Sequence, residues 1–540
     1  MLTRLDDLLD IGKPEHPALT YREQTLSYAQ LRTAVGQAAA GLHRAGLGRG
    51  DRVVIYLDKR VETVVAMLAV SAAGGVLVPV NPVLKPAQVA YLVADCAARF
   101  LMTTPERYRS LLPEQDAGAF TAELVLIGQG TQRDSALDSG QTTSWEQLCA
   151  GPAEHDREPV IDTDLAAIFY TSGSTGGPKG VVLTHRNLIA GAQSVAGYLE
   201  HSQDDVVLSV LPLSFDAGFS QLSTSLATGA HLVLVNYLLP REIVRLCARH
   251  GVTGLTCVPP LWLQLSAQDW PAEATRRLRY FANTGGAMPR STLSRLRTVF
   301  PAAKPYLMYG LTEAFRSTYL HPDQIDARPD SIGKAIPNAE VLVLRPDGSP
   351  CDPGEHGEIV HRGALVASGY WNDAERTAQR FRSIRRGSGQ QFTEKAVWSG
   401  DVAYRDEEGF LYFVGRTDDM IKTSGYRVSP TEIEEVVYAS GLVSEAVAFG
   451  VADERLGQQV VLAVTGEPDP EILRKTLERD LPRYMVPQQI LLLAELPRSG
   501  NGKFDRGVLR QRVLDEQQAL ALPAVPPEPA AMSKPPMSTR

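Results

Sequence analysis

The stretch Tyr170-Thr171-Ser172-Gly173-Ser174-Thr175-Gly176-Gly177-Pro178-Lys179-Gly180 gathers glycines, hydroxyls and one lysine into eleven residues. Glycine lets the backbone approach a ligand closely and aim its N–H groups at it. Hydroxyls donate to phosphate oxygens, and Lys179 adds a positive charge. A polyphosphate is the ligand such a loop suits. A Walker-type loop would end in Gly-Lys-Ser/Thr and open a helix. Here the lysine is flanked by Pro178 and Gly180, so that reading fails. A flexible linker is the bland alternative, but linkers seldom follow a strand-like run such as Leu165–Tyr170 or lead into Val181-Val182-Leu183.

Other segments carry weaker signals one at a time. Tyr309-Gly310-Leu311-Thr312-Glu313 offers a ring that can stack on a base, a hydroxyl, and a hard oxygen ligand for Mg2+. Alone it would read as a capped turn. Asn283-Thr284-Gly285-Gly286-Ala287 ends an apolar run, which is usually only a turn. In Trp398-Ser399-Gly400-Asp401, the carboxylate could accept from two ribose hydroxyls, although an aspartate after glycine is more often turn chemistry. Pro497-Arg498-Ser499-Gly500-Asn501-Gly502-Lys503 alone is a solvated lysine in a glycine-rich turn.

Taken together and in this order, these segments resemble the signature of the adenylate-forming superfamily. That family includes acyl-CoA synthetases, adenylation domains of nonribosomal peptide synthetases, and firefly luciferase. The resemblance runs from Leu26-Ser27-Tyr28 to about Arg510. It implies that Thr171, Ser172, Gly173, Ser174, Thr175, Gly176 and Lys179 hold the ATP phosphates. Gly285, Gly286 and Ala287 would lie against adenine, with Tyr309 and Gly310 beside the nucleotide. Thr312 would bind the α-phosphate, Glu313 would hold Mg2+, and Asp401 with Arg416 would hold the ribose. Asp418 matches the family hinge, Gly425 the thiol tunnel, and Arg427 a position near the adenylate phosphate.

Lys503 matches the catalytic lysine, and the chemistry calls for one. A carboxylate must approach an anionic phosphate, and a bridging ammonium neutralises that repulsion and the charge that develops during attack. The implied reaction forms an acyl-adenylate and then a thioester, with a water-poor site in the first pose.

Substrate choice falls on Leu211-Pro212-Leu213-Ser214-Phe215-Asp216-Ala217. Fatty and aryl acyl-CoA synthetases often carry histidine where Phe215 stands, whereas amino-acid-activating members carry an aspartate at the position of Asp216. A buried carboxylate without a cation is costly, so Asp216 suggests a cationic substrate group. Arg316 completes the expected pocket with two readings: a salt bridge to Asp216 or another residue, which makes a pocket with no amine preference, or a grip on a second acidic group of the substrate. The expected acid is therefore an amino acid or amino-acid-like acid, with a fatty or organic acid as the alternative. The acceptor is the thiol of coenzyme A or of the phosphopantetheine on a separate carrier protein. A luciferase-type oxygenase shares the adenylation motifs and stays open. The chain also resembles the AMP-forming acyl-CoA ligases associated with exosortase systems.

The elements that must position these residues are legible as an α/β architecture. Candidate strands at Arg52–Leu57, Arg99–Met102, Leu124–Ile127, Leu165–Tyr170, Val206–Leu211, His231–Val235 and Thr253–Val258 alternate with helical segments such as Val61–Ser71 and Arg241–His250. This predicts a large N-terminal domain (1–415) of mostly parallel, layered sheets. A hinge at 416–419 leads to a small mobile α+β domain at 420–516, and residues 517–540, rich in Ala and Pro, read as a disordered tail. Ser429-Pro430-Thr431-Glu432 reads as a capped helix start.

With 540 residues, 44% hydrophobic and 21% charged, the composition is that of a soluble multidomain protein. A net charge of −8 without a basic stripe argues against nucleic acid. Five scattered cysteines without a CxxC pair argue against zinc or a disulfide framework, and suit a reducing cytoplasm. The longest apolar run, Val64–Val80, is broken by Gly74, Gly75 and Pro79, so no membrane span is expected.

Overall fold

The β-branched runs singled out above form strands, and they assort into two large sheets. The computed structural model describes residues 2–116, 118–128, 142–153, 159–173, 176–385, 393–416, 419–423, 426–453 and 455–521. In one sheet, His231–Leu234, Val206–Ser209, Gly254–Cys257, Tyr280–Asn283 and Lys304–Tyr309 lie side by side and parallel. The same sheet continues antiparallel through Thr318–Leu320, Ser331–Ala335, Leu411–Arg416 and Thr393–Arg405. Where a short turn joins neighbours, as between Thr393–Arg405 and Leu411–Arg416, they pair antiparallel, whereas parallel neighbours need a long crossover.

The second sheet sets Leu165–Gly173, Val76–Pro79, Arg52–Tyr56, Phe100–Thr103 and Glu123–Leu126 in parallel order. One core joins both sheets. It unites Val53, Leu77 and Phe169 of the second with Leu232, Leu234 and Ala282 of the first. Helix Val61–Ala72 lies within it with every residue buried except Glu62. Helix Asp216–Leu226 is buried along its whole length despite its serines and threonines. Its hydroxyls are satisfied within the helix, as when Ser225 donates to the Gln221 carbonyl at 2.7 Å, so a polar sequence can be packed dry.

The C-terminal residues form a third, five-stranded sheet. Glu445–Asp453 and Gly457–Thr465 make a long hairpin, and Gln489–Leu492 adds in parallel. Helices Pro430–Ala439 and Pro470–Asp480 cover one face, with Ile433, Val437, Leu473 and Leu477 buried; Leu509 and Val513 of helix Arg506–Ala521 pack on the other.

Two local expectations change. Ser429 is the N-cap residue and Pro430 follows it, but the Ser429 side chain makes no cap bond. Its hydroxyl pairs instead with that of Thr431 at 2.7 Å, a partner only two residues away. Residues 517–521, expected in a disordered tail, belong instead to helix Arg506–Ala521; residues 522–540 lie outside the described residues. No described helix is long and apolar enough to cross a membrane.

His185 and His361 lie within this fold at 1% and 0% exposure. Burial pushes each imidazole from its ordinary 6.5 down to about 4. The unfolded chain therefore takes up protons first as the pH falls. Stability from these rings is complete above about pH 6.5 and is lost progressively down to about pH 4, by on the order of 3 kcal/mol each. Urea unfolding followed from pH 8 to pH 4.5 should show the midpoint dropping below pH 6.5. A midpoint that stays level between pH 7 and pH 5 would contradict the neutral, buried state.

Candidate active site

From strand Val206–Ser209 the chain moves to its neighbour His231–Leu234, then returns to Gly254–Cys257 on the opposite side. Such a reversal opens a crevice beyond the carboxyl ends of the parallel strands. Three of the segments singled out by sequence enter it from strand ends. Phe215 and Asp216 follow Val206–Ser209, Gly285 follows Tyr280–Asn283, and Thr312 and Glu313 follow Lys304–Tyr309.

Lys503 reaches the same crevice from the C-terminal region. Its ammonium lies 5.2 Å above the centre of the Phe215 ring. Gly285 has φ +78°, and a Cβ there would stand 2.8 Å from Lys503 Cε, so only glycine suits both the backbone and the space. Asn81 holds the lysine loop, donating to the Gly500 carbonyl at 2.6 Å. Burial pushes the Lys503 ammonium pKa down, and the Asp216 carboxylate holds it up in part.

On one side of Lys503 stands a set of groups suited to a nucleotide. Tyr309 donates its hydroxyl to Asp401 at 2.5 Å, and Arg416 lies 3.3 Å from the other Asp401 oxygen. Asp401 and Arg416 face each other across adjacent antiparallel strands, which explains how residues fifteen apart in sequence meet. Burial, with the Asp401 charge next, drives the Tyr309 phenol pKa well above its ordinary value, so this hydroxyl stays a donor. Thr312 is buried in a single 3-10 turn, and Gly310 lies tight against the Arg316 backbone.

The glycine-rich segment is a β-hairpin, not a loop opening a helix. Leu165–Gly173 pairs antiparallel with Gly176–Thr184, setting Thr171 opposite Lys179. Lys179 lies 5.1 Å over the Tyr370 ring, and Tyr370 donates to Glu313 at 2.7 Å. Desolvation lowers the Lys179 pKa while the Glu313 charge opposes it. Among the described residues no group of three His, Cys, Asp or Glu side chains gathers to hold a metal. A magnesium ion here would take Glu313 and the oxygens of a bound phosphate chain, the sparse protein ligation that this ion tolerates.

On the other side lies a buried ion pair, where the acid is expected. Asp216 opens helix Asp216–Leu226, where a negative charge is favoured by the helix dipole. Gly218 seats that helix: a Cβ would fall 1.9 Å from the Pro212 carbonyl oxygen. Arg316 lies 3.3 Å from Asp216, and both side chains are only 3–4% exposed. The preceding residue, Phe315, takes φ +56° and ψ −49°, a strained conformation for a bulky side chain, and is fully buried. Burial raises the Asp216 pKa against the pull of Arg316 and then of Lys503.

Thus Phe215, Asp216, Arg316, Gly285 and Lys503 come together, and Tyr309, Asp401 and Arg416 form a second group. Of the two readings of Arg316, the salt bridge to Asp216 is the one observed. Gly286 and Ala287 are exposed at the rim. Ser174, Thr175, Asp418 and Gly425 lie outside the described residues, as do the side chains of Ser172 and Arg427; the backbone of Gly173 and Gly176 is paired at the hairpin end.

Three further residues were not read from the sequence: Tyr370, Asn81 and Lys59. Lys59, 8% exposed, donates to the carbonyls of Ser209 and Leu211 at 2.7 and 3.1 Å, and burial brings its pKa down to about 7. Its position three residues beyond strand Arg52–Tyr56, at a carboxyl strand end, is a signal that could have marked it. Tyr370 and Asn81 have no comparable local pattern.

The arrangement is that of an adenylate-forming ligase. The chain belongs to the AMP-binding enzyme family, which it matches over residues 11–371, with the AMP-binding enzyme C-terminal domain matched over 432–503. Over 92% of its own length it is 32% identical to part of a linear gramicidin synthase from Brevibacillus parabrevis, and it spans 6% of that much longer protein. It is 31% identical to sulfoacetate–CoA ligase of Cupriavidus necator, covering 91% of this chain and 94% of that one. The ATP-bound crystal structure of MatB from Rhodopseudomonas palustris superposes with a TM-score of 0.83 at 27% identity, covering 95% of this chain and 99% of that one.

Tyr309→Phe keeps the ring and removes the hydroxyl that donates to buried Asp401. Nucleotide-free protein should lose about 1–3 kcal/mol of stability, read as a lower thermal midpoint. An unchanged midpoint would show that this bond does not hold Asp401.

Proposed function

We propose that this chain activates a carboxylic acid, an amino acid or amino-acid-like acid, as its acyl-adenylate with Mg-ATP. It then transfers the acyl group to the thiol of coenzyme A or of a separate carrier protein's phosphopantetheine. The observation that carries this reading is the position of Lys503. Its ammonium feels Asp216 on the acid side, and Arg416 and Asp401 on the nucleotide side.

In the first step an oxygen of the acid's carboxylate attacks the α-phosphorus of ATP, and the bond to pyrophosphate breaks. Lys503 bridges the carboxylate and the phosphate and offsets their repulsion. Lys179, with the hydroxyls of Ser172 and Thr175, holds the β- and γ-phosphates, Thr312 takes the α-phosphate, and Asp401 and Arg416 take the ribose. Tyr309, by fixing Asp401, is a positioning residue in this scheme. Magnesium would supply charge neutralisation on the phosphates beside Glu313. In the second step a thiolate attacks the acyl carbon, and AMP leaves with the electron pair of the broken acyl–oxygen bond. Asp418 serves as the hinge that exchanges the Lys503 loop for the segment with Gly425 and Arg427.

Asp216 supports an amine on the acid through its match to the aspartate of amino-acid-activating members. Arg316, 3.3 Å away, already supplies a cation to its buried carboxylate and supports an acid without one. The likeness to a sulfoacetate–CoA ligase supports the second reading, an organic acid without an amine. None of the relatives named above is an oxygenase. ATP–pyrophosphate exchange across an acid panel separates the two acid classes, and AMP release with coenzyme A or a phosphopantetheinylated carrier identifies the acceptor. Lys503→Ala should reduce exchange by roughly 100- to 1000-fold with ATP binding retained. Full exchange in that variant would refute the lysine's role.

A further inference from the structure

Tyr370 makes two contacts that the reaction scheme leaves unused. Its hydroxyl donates to Glu313 Oε1 at 2.7 Å, and the Lys179 ammonium lies 5.1 Å over the centre of its ring. In the proposed reaction, Glu313 is the carboxylate beside magnesium and Lys179 the cation on the phosphate tail. One side chain therefore touches both, the carboxylate through its hydroxyl and the lysine through its face.

Opposite charges this near one another tend to close into an ion pair, the more so where little water screens them. Lys179 feels the Glu313 charge, yet among the described residues no ion pair joins the two. Tyr370 offers each of them another partner. A phenol bound to a carboxylate is a charge-assisted hydrogen bond, and an ammonium over an aromatic face is attracted by the ring. Burial, with the Glu313 charge next, raises the Tyr370 pKa above its ordinary value, so the hydroxyl stays a donor. Arg380 is the other cation near this hydroxyl, and the Trp398 carbonyl holds it at 3.0 Å.

The ring is fixed from the backbone up, without help from a ligand. Gly369–Tyr370 is a short strand that pairs antiparallel with Gly176–Thr184, the strand that carries Lys179, and sets Tyr370 opposite Val181. The same segment reaches the Glu313 turn, where the Ala367 N–H donates to the Glu313 carbonyl at 2.9 Å. The Tyr370 N–H donates to the Thr377 hydroxyl at 2.9 Å, and the Phe381 ring stands edge-on at 5.4 Å.

We infer that Tyr370 is a positioning residue for the phosphate half of the site. It holds Glu313 and Lys179 apart, so that the carboxylate stays open to a magnesium ion and the ammonium to the phosphate tail of ATP. This rests on the ligase reading of the same site and deepens it. Without the hydroxyl, Glu313 turns to Lys179, and each then occupies the group that the ligand needs. The cost falls on the phosphate tail and spares the adenosine, whose ribose belongs to Asp401 and Arg416.

Calorimetric titration of the full chain with Mg-ATP and, separately, with AMP tests this without turnover. Tyr370→Phe keeps the ring and removes one hydrogen bond to a charged group. It should weaken Mg-ATP binding about 10-fold and AMP binding less than about 2-fold. Unchanged Mg-ATP affinity, or an equal loss for AMP, would overturn the inference. Made on a Glu313→Gln background, the same change should cost Mg-ATP less than about 2-fold, because no anion remains to close on Lys179. An undiminished cost there would show that the tyrosine does not act through the carboxylate, and would equally refute it. Thermal midpoints check that each variant folds. Should Tyr370→Phe misfold, Thr377→Val removes the hydroxyl that accepts from the Tyr370 N–H. That variant must weaken Mg-ATP about 3-fold and leave AMP unaffected, or the inference falls. Wild-type protein that fails to bind Mg-ATP at all would overturn the ligase reading as well.

Discussion

A carboxylate at the floor of a dry crevice must be offset by positive charge, and Asp216 imposes that demand on everything around it. The helix it opens is buried end to end, so no solvent is available to ease its charge. Arg316 answers from one side, presented by a backbone turn that strains Phe315; Lys503 answers from the other, carried by a turn of the C-terminal region. The C-terminal region thus meets the N-terminal one around a shared electrostatic need.

The crevice itself depends on a tie between the two large sheets. Strand Arg52–Tyr56 has its own reversal, with Val76–Pro79 on one side and Phe100–Thr103 on the other. Lys59 lies just past its end and donates to carbonyls at and just past the end of Val206–Ser209. A buried lysine is tolerated because those carbonyls accept from it, at the cost of a depressed pKa. The bond fixes the start of the segment that delivers Phe215 and Asp216. Packing of Gly218 against the Pro212 carbonyl fixes its end.

Binding and chemistry are divided by strand order. Tyr309, Asp401 and Arg416 are fastened by cross-strand register in the antiparallel half of the sheet, so their geometry is rigid. Lys503 is carried on a turn whose hold on the N-terminal region includes Asn81, and this contact can be released without unfolding a strand. The groups proposed to hold the nucleotide are thus built into a sheet, while the lysine proposed to arrive and leave is on a turn.

Local sequence determined much of this protein. Period and β-branching marked the strands, and Pro178 and Gly180 around Lys179 excluded a Walker loop, since a backbone signal is written in consecutive residues. The residue types suited to phosphate, ribose and magnesium were legible for the same reason. The cap at Ser429 was misread in part because a neighbouring hydroxyl, at Thr431, competes for it. Only the tertiary structure decided between the two readings of Arg316, because Asp216 and Arg316 are a hundred residues apart and their contact depends on the packing of a helix against a strained turn. It also revealed Lys59, Tyr370 and Asn81, whose partners lie far along the chain; of the three only Lys59 has a local mark, its place past a carboxyl strand end. Types and spacing are properties of the chain, whereas the pairing of a buried charge is a property of the fold.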